Sequence, residues 1–427
     1  MFTSFTTQSV LKSLFVLSIL YIPVGIGALN PTAEIAAILG LVLATVLLPF
    51  VYRQNPVASD DVGLAVKLIF AIYFFIGMGA LLLVEDSEAA VQSIGTTSHF
   101  IFFVVIYSAL QRTHIPMIWL WLAIIIGAMI NGLSSLYYSQ NGGIILYLYD
   151  DISLKFNQRG SVNPILYGDI SLVLSFASLL SWKHFSQYRW GFVLPVLGFI
   201  LGLVACFYSL ARGSWIAILG LIVIMIVYLL MTLNNRRHVL LSLVGLGLVI
   251  ALVGLFSGDK ISQRTNLAVA EFQDYFAGER YRTSIGYRLE VYKGALKVIQ
   301  ENPILGVGLG GEMQAINTLA DRGEIRDLKG IKNVHNQFLQ EGVAKGIFGI
   351  FSYLVLMGFL LIVFAKRMCA SHNREVNTVG VILVVSFLIF GLTNITFTHG
   401  IFNTFFVCMV ALLLSASGEG QKKALNY

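Results

Sequence analysis

The sequence predicts an all-α, polytopic integral membrane protein, and three observations carry that prediction. Of 427 residues, 57% are hydrophobic and only 12% are charged, about half the charged share of a soluble domain. The mean hydropathy is +0.81. Apolar runs of about 20 residues recur along the chain, the length a helix needs to cross a bilayer with its backbone groups satisfied internally. Forty glycines against eight prolines fit helices that approach one another through small residues.

About twelve transmembrane helices are expected, near 10–29, 32–52, 63–84, 93–110, 115–135, 164–182, 190–208, 214–232, 239–257, 346–365, 377–395 and 398–416. The first run follows Lys12 and leads straight into the second, so it reads as a retained span and not a cleaved signal. Alternate short connections hold Arg53, Arg112, Lys183 with Arg189, Arg236 with Arg237, and Lys366 with Arg367 and Arg374; the tail adds Lys422 and Lys423. Excess Lys and Arg in short loops marks the cytoplasmic face, which puts both termini inside. The other face receives the acidic VEDSEAA, the segment 136–163, the tight turn SLARGS and one long loop. That loop is basic, but long loops translocate whatever their charge. The expected organisation is therefore 1–257 for spans one to nine, 258–345 for a helical periplasmic loop, and 346–427 for spans ten to twelve and a cytoplasmic tail.

Within the loop, RTNLAVAEFQDYFAG and TSIGYRLEVYKGALKVIQEN both read as amphipathic helices. In the second, Leu289, Tyr292, Leu296 and Ile299 recur at a spacing of three to four and form its expected apolar stripe. Asn302-Pro303 ends it, since a residue before proline avoids the helical region. No internal sequence repeat is visible.

The net charge of +6 does not imply a nucleic-acid partner, because the basic residues follow the topology. Cys206, Cys369 and Cys408 lack paired spacing, which excludes a disulfide framework and a zinc site. No HExxH, Walker or Ser-His-Asp pattern occurs. The doublet Asp150-Asp151 has no second acidic cluster to complete a metal site.

Three stretches carry candidate chemistry. Arg212, in SLARGSWIAIL, sits at the outer hydrocarbon edge. A guanidinium there snorkels to lipid headgroups or clamps an anion, for which its planar fork suits phosphate oxygens. Asp169, one turn inside the sixth span, is its expected partner, with a role as a base the alternative. Arg288 lies on the polar side of the second loop helix, among Arg280, Arg282, Lys293 and Lys297, where a solvated basic face is the bland alternative. Gly306, Gly308, Gly310 and Gly311 follow a helix rather than a strand. They do not make a nucleotide loop, though a turn of amides facing a phosphate stays open. In NVHNQFLQEGVAKGIFGI, the residues His335, Leu339, Gly342, Gly346 and Gly349 fall at helical spacing and are expected to line one stripe, with the histidine at its outer end. The bland alternative for His335 is a cap or a satisfied hydrogen bond.

Taken in order, LARGSWIAIL, YRLEVYKGALKVIQENPILGVGLG and VHNQFLQEGVAKGIFGI resemble the superfamily of O-antigen ligases and O-antigen polymerases, over roughly Ser209 to Ile350. The resemblance implies an integral-membrane glycosyltransferase of the bacterial inner membrane, with its active site facing the periplasm. Its donor would be a glycan on undecaprenyl diphosphate and its acceptor, for a ligase, a sugar hydroxyl of lipid A–core. It would need no cofactor and no metal, and its other partners would be membrane lipids. It transfers to the present chain the catalytic positions Arg212, Arg288 and His335, the arginines on the diphosphate and the histidine as general base in an inverting displacement. Where the family often carries Trp in the arginine helix, this chain has Tyr292.

Three other functions compete, one of them a glycan-to-protein ligase. The motifs do not separate ligase from polymerase; a single long loop placed late, with a shorter 136–163 segment, favours the ligase. A secondary transporter suits twelve spans, but ion-coupled transporters keep ionisable residues near the midplane, and here Lys67, Asp169 and Glu34 lie off-centre.

Overall fold

A computed structural model describes residues 7–54, 61–84, 87–113, 115–141, 144–149, 152–156, 163–256, 258–328, 330–370 and 373–417. In chain order the elements are α1 (Thr7–Gly25), α2 (Asn30–Gln54), α3 (Asp61–Leu81), α4 (Ser87–Leu110), α5 (Met117–Asn141), β1 (Ile144–Tyr149), β2 (Ile152–Phe156), α6 (Pro164–Leu180), α7 (Trp182–Phe185), α8 (Val193–Ser209), α9 (Arg212–Thr232), α10 (Arg236–Phe256), α11 (Gly258–Ala277), α12 (Ser284–Glu301), α13 (Glu312–Asp321), α14 (Gln337–Cys369), α15 (Arg374–Phe390) and α16 (Gly400–Ser417). The protein is an all-α, polytopic membrane protein with one antiparallel two-stranded hairpin outside the helical frame. The Asp150-Asp151 doublet, Lys422 and Lys423 lie outside the described residues.

Among the described residues, nine helices are long and apolar enough to span a bilayer: α1 to α5, α9, α10, α14 and α16. The other three expected spans coincide with α6, α8 and α15, each 17 residues long, at the lower limit for crossing about 30 Å of hydrocarbon.

Small residues set the packing at the centre. On α6, Ser171, Ser175 and Ser178 face Gly198 and Gly202 of α8. A Cβ on Gly202 would lie 2.7 Å from that of Ser175, and one on Gly198 2.9 Å from Ser178 Oγ. Ser175 Oγ donates to Phe199 O at 2.7 Å across the same seam. This is close helix approach through small side chains with polar groups paired between helices. Nearly all of α6 and α16 is buried, so they form the middle of the bundle. At the periphery, α10 exposes Leu241, Val244, Leu248, Leu252 and Leu255, an apolar face at helical spacing that suits lipid rather than water.

Several of the basic residues expected on one face do meet at one end. Lys183 Nζ pairs with Glu375 at 3.0 Å, Arg374 reaches Met231 O, and Arg367 Nη1 donates to Ser417 Oγ at 2.9 Å.

The loop between α10 and α14 has a core of its own. Val291, Ala295 and Val298 of α12 pack with Ile316 and Leu319 of α13, Ile325, Leu328, Val334 and Val343. The expected stripe on α12 is off in register. Leu296 is exposed, and the buried face runs through Gly286, Glu290, Val291, Gly294, Ala295 and Val298. Gly294 lets α12 approach closely there, because a Cβ would meet the side-chain ends of Ile316 and Ile325 at 2.8 and 2.9 Å and force them to shift. As expected, α12 stops at Glu301 with Asn302 as its C-cap.

α14 is two helices joined at Gly346, whose φ of 59° and ψ of −145° break the helix. The glycine-rich segment after α12 fills the break. Val307 N donates to Val343 O and Gly308 N to Ala344 O, both at 2.9 Å, and Ile347 N returns a bond to Pro303 O at 2.9 Å. Gly306, Gly308 and Gly310 take φ of 71°, 90° and 101°, a region L side chains avoid. A Cβ on Gly306 would strike the α14 backbone at 2.5 Å.

Candidate functional site

Arg212 is the first residue of α9. Leu210 in the left-handed region (φ 58°) turns the chain between α8 and α9, and Ser209 Oγ holds the turn by accepting from Ala211 N at 3.2 Å. The expected Asp169–Arg212 pair is not formed. Asp169 Oδ1 instead accepts from Ser214 Oγ at 2.5 Å, because Ser214 rather than Arg212 turns toward α6. Arg212 Nη1 lies 3.9 Å from Glu271 Oε2 on α11, and its Nη2 is buried with no hydrogen-bond partner among the described residues.

Arg288 lies on the second turn of α12, half-buried. Three of its charged neighbours in sequence meet loop acids: Lys293 meets Glu290 at 3.1 Å, Lys297 meets Glu324 at 3.1 Å and Arg282 meets Asp327 at 3.4 Å. Arg288 makes no ion pair among the described residues. It stands close enough to Arg212 on one side, and to His335 on the other, to act on each electrostatically. The basic cluster is thus not a uniform solvated face.

His335 is not on a helix, which corrects the expected five-residue stripe. It precedes the N-cap Asn336, whose side chain accepts from Leu339 N at 3.1 Å, and its own φ is +57°. The stripe fails again at Gly346, where α14 breaks. The glycines still permit close approach: Gly342 abuts Ile299, and Gly346 abuts the backbone of Ile304 and Leu305. A non-glycine residue in the left-handed region is held by its surroundings. Here Tyr292 Oη donates to His335 O at 2.9 Å and Asn336 Nδ2 to Leu392 O at 3.2 Å. His335 Nδ1 is buried with no hydrogen-bond partner among the described residues. Burial first, then the charge of Arg288 and then His399, push its pKa down to about 4, since each disfavours the imidazolium.

The open reading of a phosphate-binding turn at the glycines is overturned. Besides the amides of Val307 and Gly308 that bind α14, Gly306 N donates to Asn302 O at 3.1 Å and Gly310 N to Glu312 Oε2 at 2.9 Å.

Four participants escaped the sequence reading. Arg264 on α11 adds a third positive charge near Arg212, and Glu271 is the counter-ion of Arg212. Nothing in an amphipathic helix singles out one charge of its polar face. His399, ahead of α16, approaches His335 from a segment far along the chain. A buried polar knot lies beneath. Glu341 pairs with Lys345 and accepts from Tyr73 Oη at 2.6 Å and Gln337 Nε2 at 2.7 Å, and Lys345 Nζ stands 4.3 Å over the Tyr73 ring. Gln340 Nε2 donates to Glu312 Oε1 at 2.7 Å, and burial raises Glu312 to about 7. The signal for this knot was present: charged residues at i and i+4 in an otherwise apolar span require partners. No three His, Cys, Asp or Glu side chains converge among the described residues.

Among the described residues Arg288 has no ion pair and Arg212 keeps a buried unpaired nitrogen, and Arg288 acts on Arg212 on one side and on the neutral His335 on the other. Such a set can hold a multivalent anion and accept a proton within one site. Residues 197–354, which include Arg212, Arg288 and His335, match the family described as O-Antigen ligase. The chain is 28% identical over 174 residues to an O-antigen ligase of Escherichia coli, covering 40% of this chain and 41% of that protein. It is 24% identical over 412 residues to an uncharacterized protein of Haemophilus influenzae, covering 94% of this chain and 96% of that one.

Proposed function

We propose that this chain, which belongs to the O-antigen ligase and polymerase superfamily, transfers a glycan from undecaprenyl diphosphate to a sugar hydroxyl of lipid A–core on the periplasmic side of the inner membrane. The observation that carries the reading is the position of Arg288. It has no counter-ion among the described residues and lies within electrostatic reach of both Arg212 and His335, although the three come from separate segments of the chain.

In this mechanism His335 takes the proton of the acceptor hydroxyl as its oxygen attacks the anomeric carbon. The bond from that carbon to the diphosphate oxygen breaks on the opposite face, and the configuration inverts. The leaving lipid diphosphate gains negative charge, which Arg212 and Arg288 stabilise from preorganised positions at a low-dielectric boundary. Bidentate guanidinium hydrogen bonds fit its oxygens. The histidine must be neutral to act, and its burial beside Arg288 keeps it so.

The test is transfer by the purified protein from a lipid-linked glycan, with lipid A–core and a second lipid-linked repeat offered together and a chelator present. A ligase extends lipid A–core. Growth of the lipid-linked repeat instead assigns the polymerase reaction, and no transfer to either acceptor overturns the glycosyltransferase reading. The lateness of the single long loop favours the ligase.

A further inference from the structure

Arg264 and Glu271 stand seven residues apart on α11, which puts them on one face of that helix, two turns from each other. That face turns to the start of α9. Glu271 is 8% exposed. Its Oε2 lies 3.9 Å from Arg212 Nη1 and accepts from Ile285 N, in the first turn of α12, at 3.2 Å. Arg264 acts on Arg212 from the same helix. It is half-buried and makes no ion pair among the described residues.

α12 connects this contact to the candidate base. Ile285 is bonded to Glu271, and Tyr292, two turns further on, donates to His335 O at 2.9 Å. The Arg212–Glu271 contact and His335 are thus set apart by about 10 Å of helix. Arg288 lies between them, one turn before Tyr292 and on the same face. From His335 outward the order is Arg288, then Arg212 with Arg264. The outer end is the membrane end. Arg212 is the first residue of a span, α9, and α11 starts two residues after another span, α10, stops.

Three guanidinium groups about one carboxylate repel one another unless an anion joins them. Arg212 Nη2, buried with no hydrogen-bond partner among the described residues, is a donor that such an anion would satisfy. Three arginines less Glu271 leave two positive charges, which match a diphosphate diester with one negative charge on each phosphate.

We propose that Arg264 is a third diphosphate-binding residue, and that the diphosphate lies along α12 with its glycan-side phosphate at Arg288 and its lipid-side phosphate between Arg212 and Arg264. The inference rests on the glycosyltransferase reading for the identity of that donor. Two features set the direction. The bond that breaks joins the anomeric carbon to the glycan-side phosphate, so that phosphate belongs at the His335 end of α12. The lipid-side phosphate belongs where its chain enters hydrocarbon, at the start of α9.

Binding tests the order without turnover. Full-length protein in detergent is titrated with undecaprenyl phosphate, whose one phosphate is lipid-side, and with undecaprenyl diphosphate. Arg264→Gln is expected to weaken both about tenfold, and Arg288→Gln to weaken the diphosphate alone. An Arg264→Gln protein that binds both lipids as wild type does, or that loses affinity for the diphosphate alone, overturns the proposal. A second measurement changes the charge on one folded protein. Arg264→Cys in a Cys369→Ser background is expected to recover binding when 2-aminoethyl methanethiosulfonate restores a positive charge, and not with neutral methyl methanethiosulfonate. Equal effects of the two reagents overturn it. A wild-type protein that binds both lipids but transfers nothing defeats the proposed function and leaves the diphosphate site standing, whereas one that binds neither overturns the site.

Discussion

His335 combines a strained backbone with a depressed pKa. Its φ of +57° is held by the Tyr292 hydroxyl, so side-chain aim and backbone strain are coupled through one hydrogen bond. Replacing His335 with Ala is expected to lower kcat by a factor on the order of 10² to 10⁴, the range for general-base catalysis, with membrane insertion unchanged by fractionation. Arg288→Lys keeps the charge and loses the fork; a loss of tenfold or more in kcat/KM supports bidentate holding, and full activity rejects it. The pH dependence has a definite sign. The folded pKa is about 4, below the ordinary 6.5, so the neutral, proton-accepting form persists above pH 4 and is lost as pH falls through it. A bound diphosphate would offset the Arg288 charge and raise that pKa. The acid limb of kcat, which reports the loaded enzyme, is therefore expected at higher pH than that of kcat/KM, which reports the free enzyme. Coincident limbs would separate Arg288 from the diphosphate.

At the scale of the element, α14 joins a membrane span to the loop, and its buried Glu341–Lys345 pair marks the junction. Both side chains are nearly inaccessible, so neither charge has water to fall back on. Removing one partner of a buried pair costs about 3–5 kcal/mol, and replacing both can be close to neutral. Lys345→Met is expected to lower the thermal midpoint in detergent sharply, and Lys345→Met with Glu341→Gln to recover part of the loss. A double variant less stable than Lys345→Met would show that Tyr73 and Gln337 depend on the carboxylate itself. The legibility of these elements was uneven. The end of α12 at Asn302 was written in Asn-Pro. The register of its buried face was hidden, because Gly294 and Ala295 add little hydrophobicity and matter only through what packs on them. His335 stands at helical spacing from Leu339, so periodicity put it on a helix. Asn336, a preferred N-cap residue followed three residues later by the amide it caps, was the local signal that the helix starts after it.

At the scale of the molecule, hydropathy made the membrane class and nine of the spans readable, because crossing hydrocarbon is mainly a constraint on composition. The convergence of α9, α12 and the start of α14 was not readable from composition. It depends on long-range packing of the loop, and only the order of three short motifs hinted at it. Orientation has a direct test. Cys369 is exposed at the C-terminus of α14, and Arg322 is exposed beyond α13. An impermeant maleimide applied to intact spheroplasts is expected to label Arg322→Cys in a Cys369→Ser background and to spare native Cys369 until the membrane is opened. The reverse pattern inverts the assigned topology.

The loop core has a consequence for biosynthesis. Val334 and Val343 complete a cluster begun by Val291, Ala295 and Val298, and the glycine turn docks on carbonyls of the same later segment. The loop therefore cannot finish folding until the start of α14 has been made and delivered to the membrane, a wait of several seconds at about 5–20 residues per second. Through that interval α12 carries an uncovered apolar face, so the nascent chain is most exposed to proteolysis and misassembly just before α14 arrives.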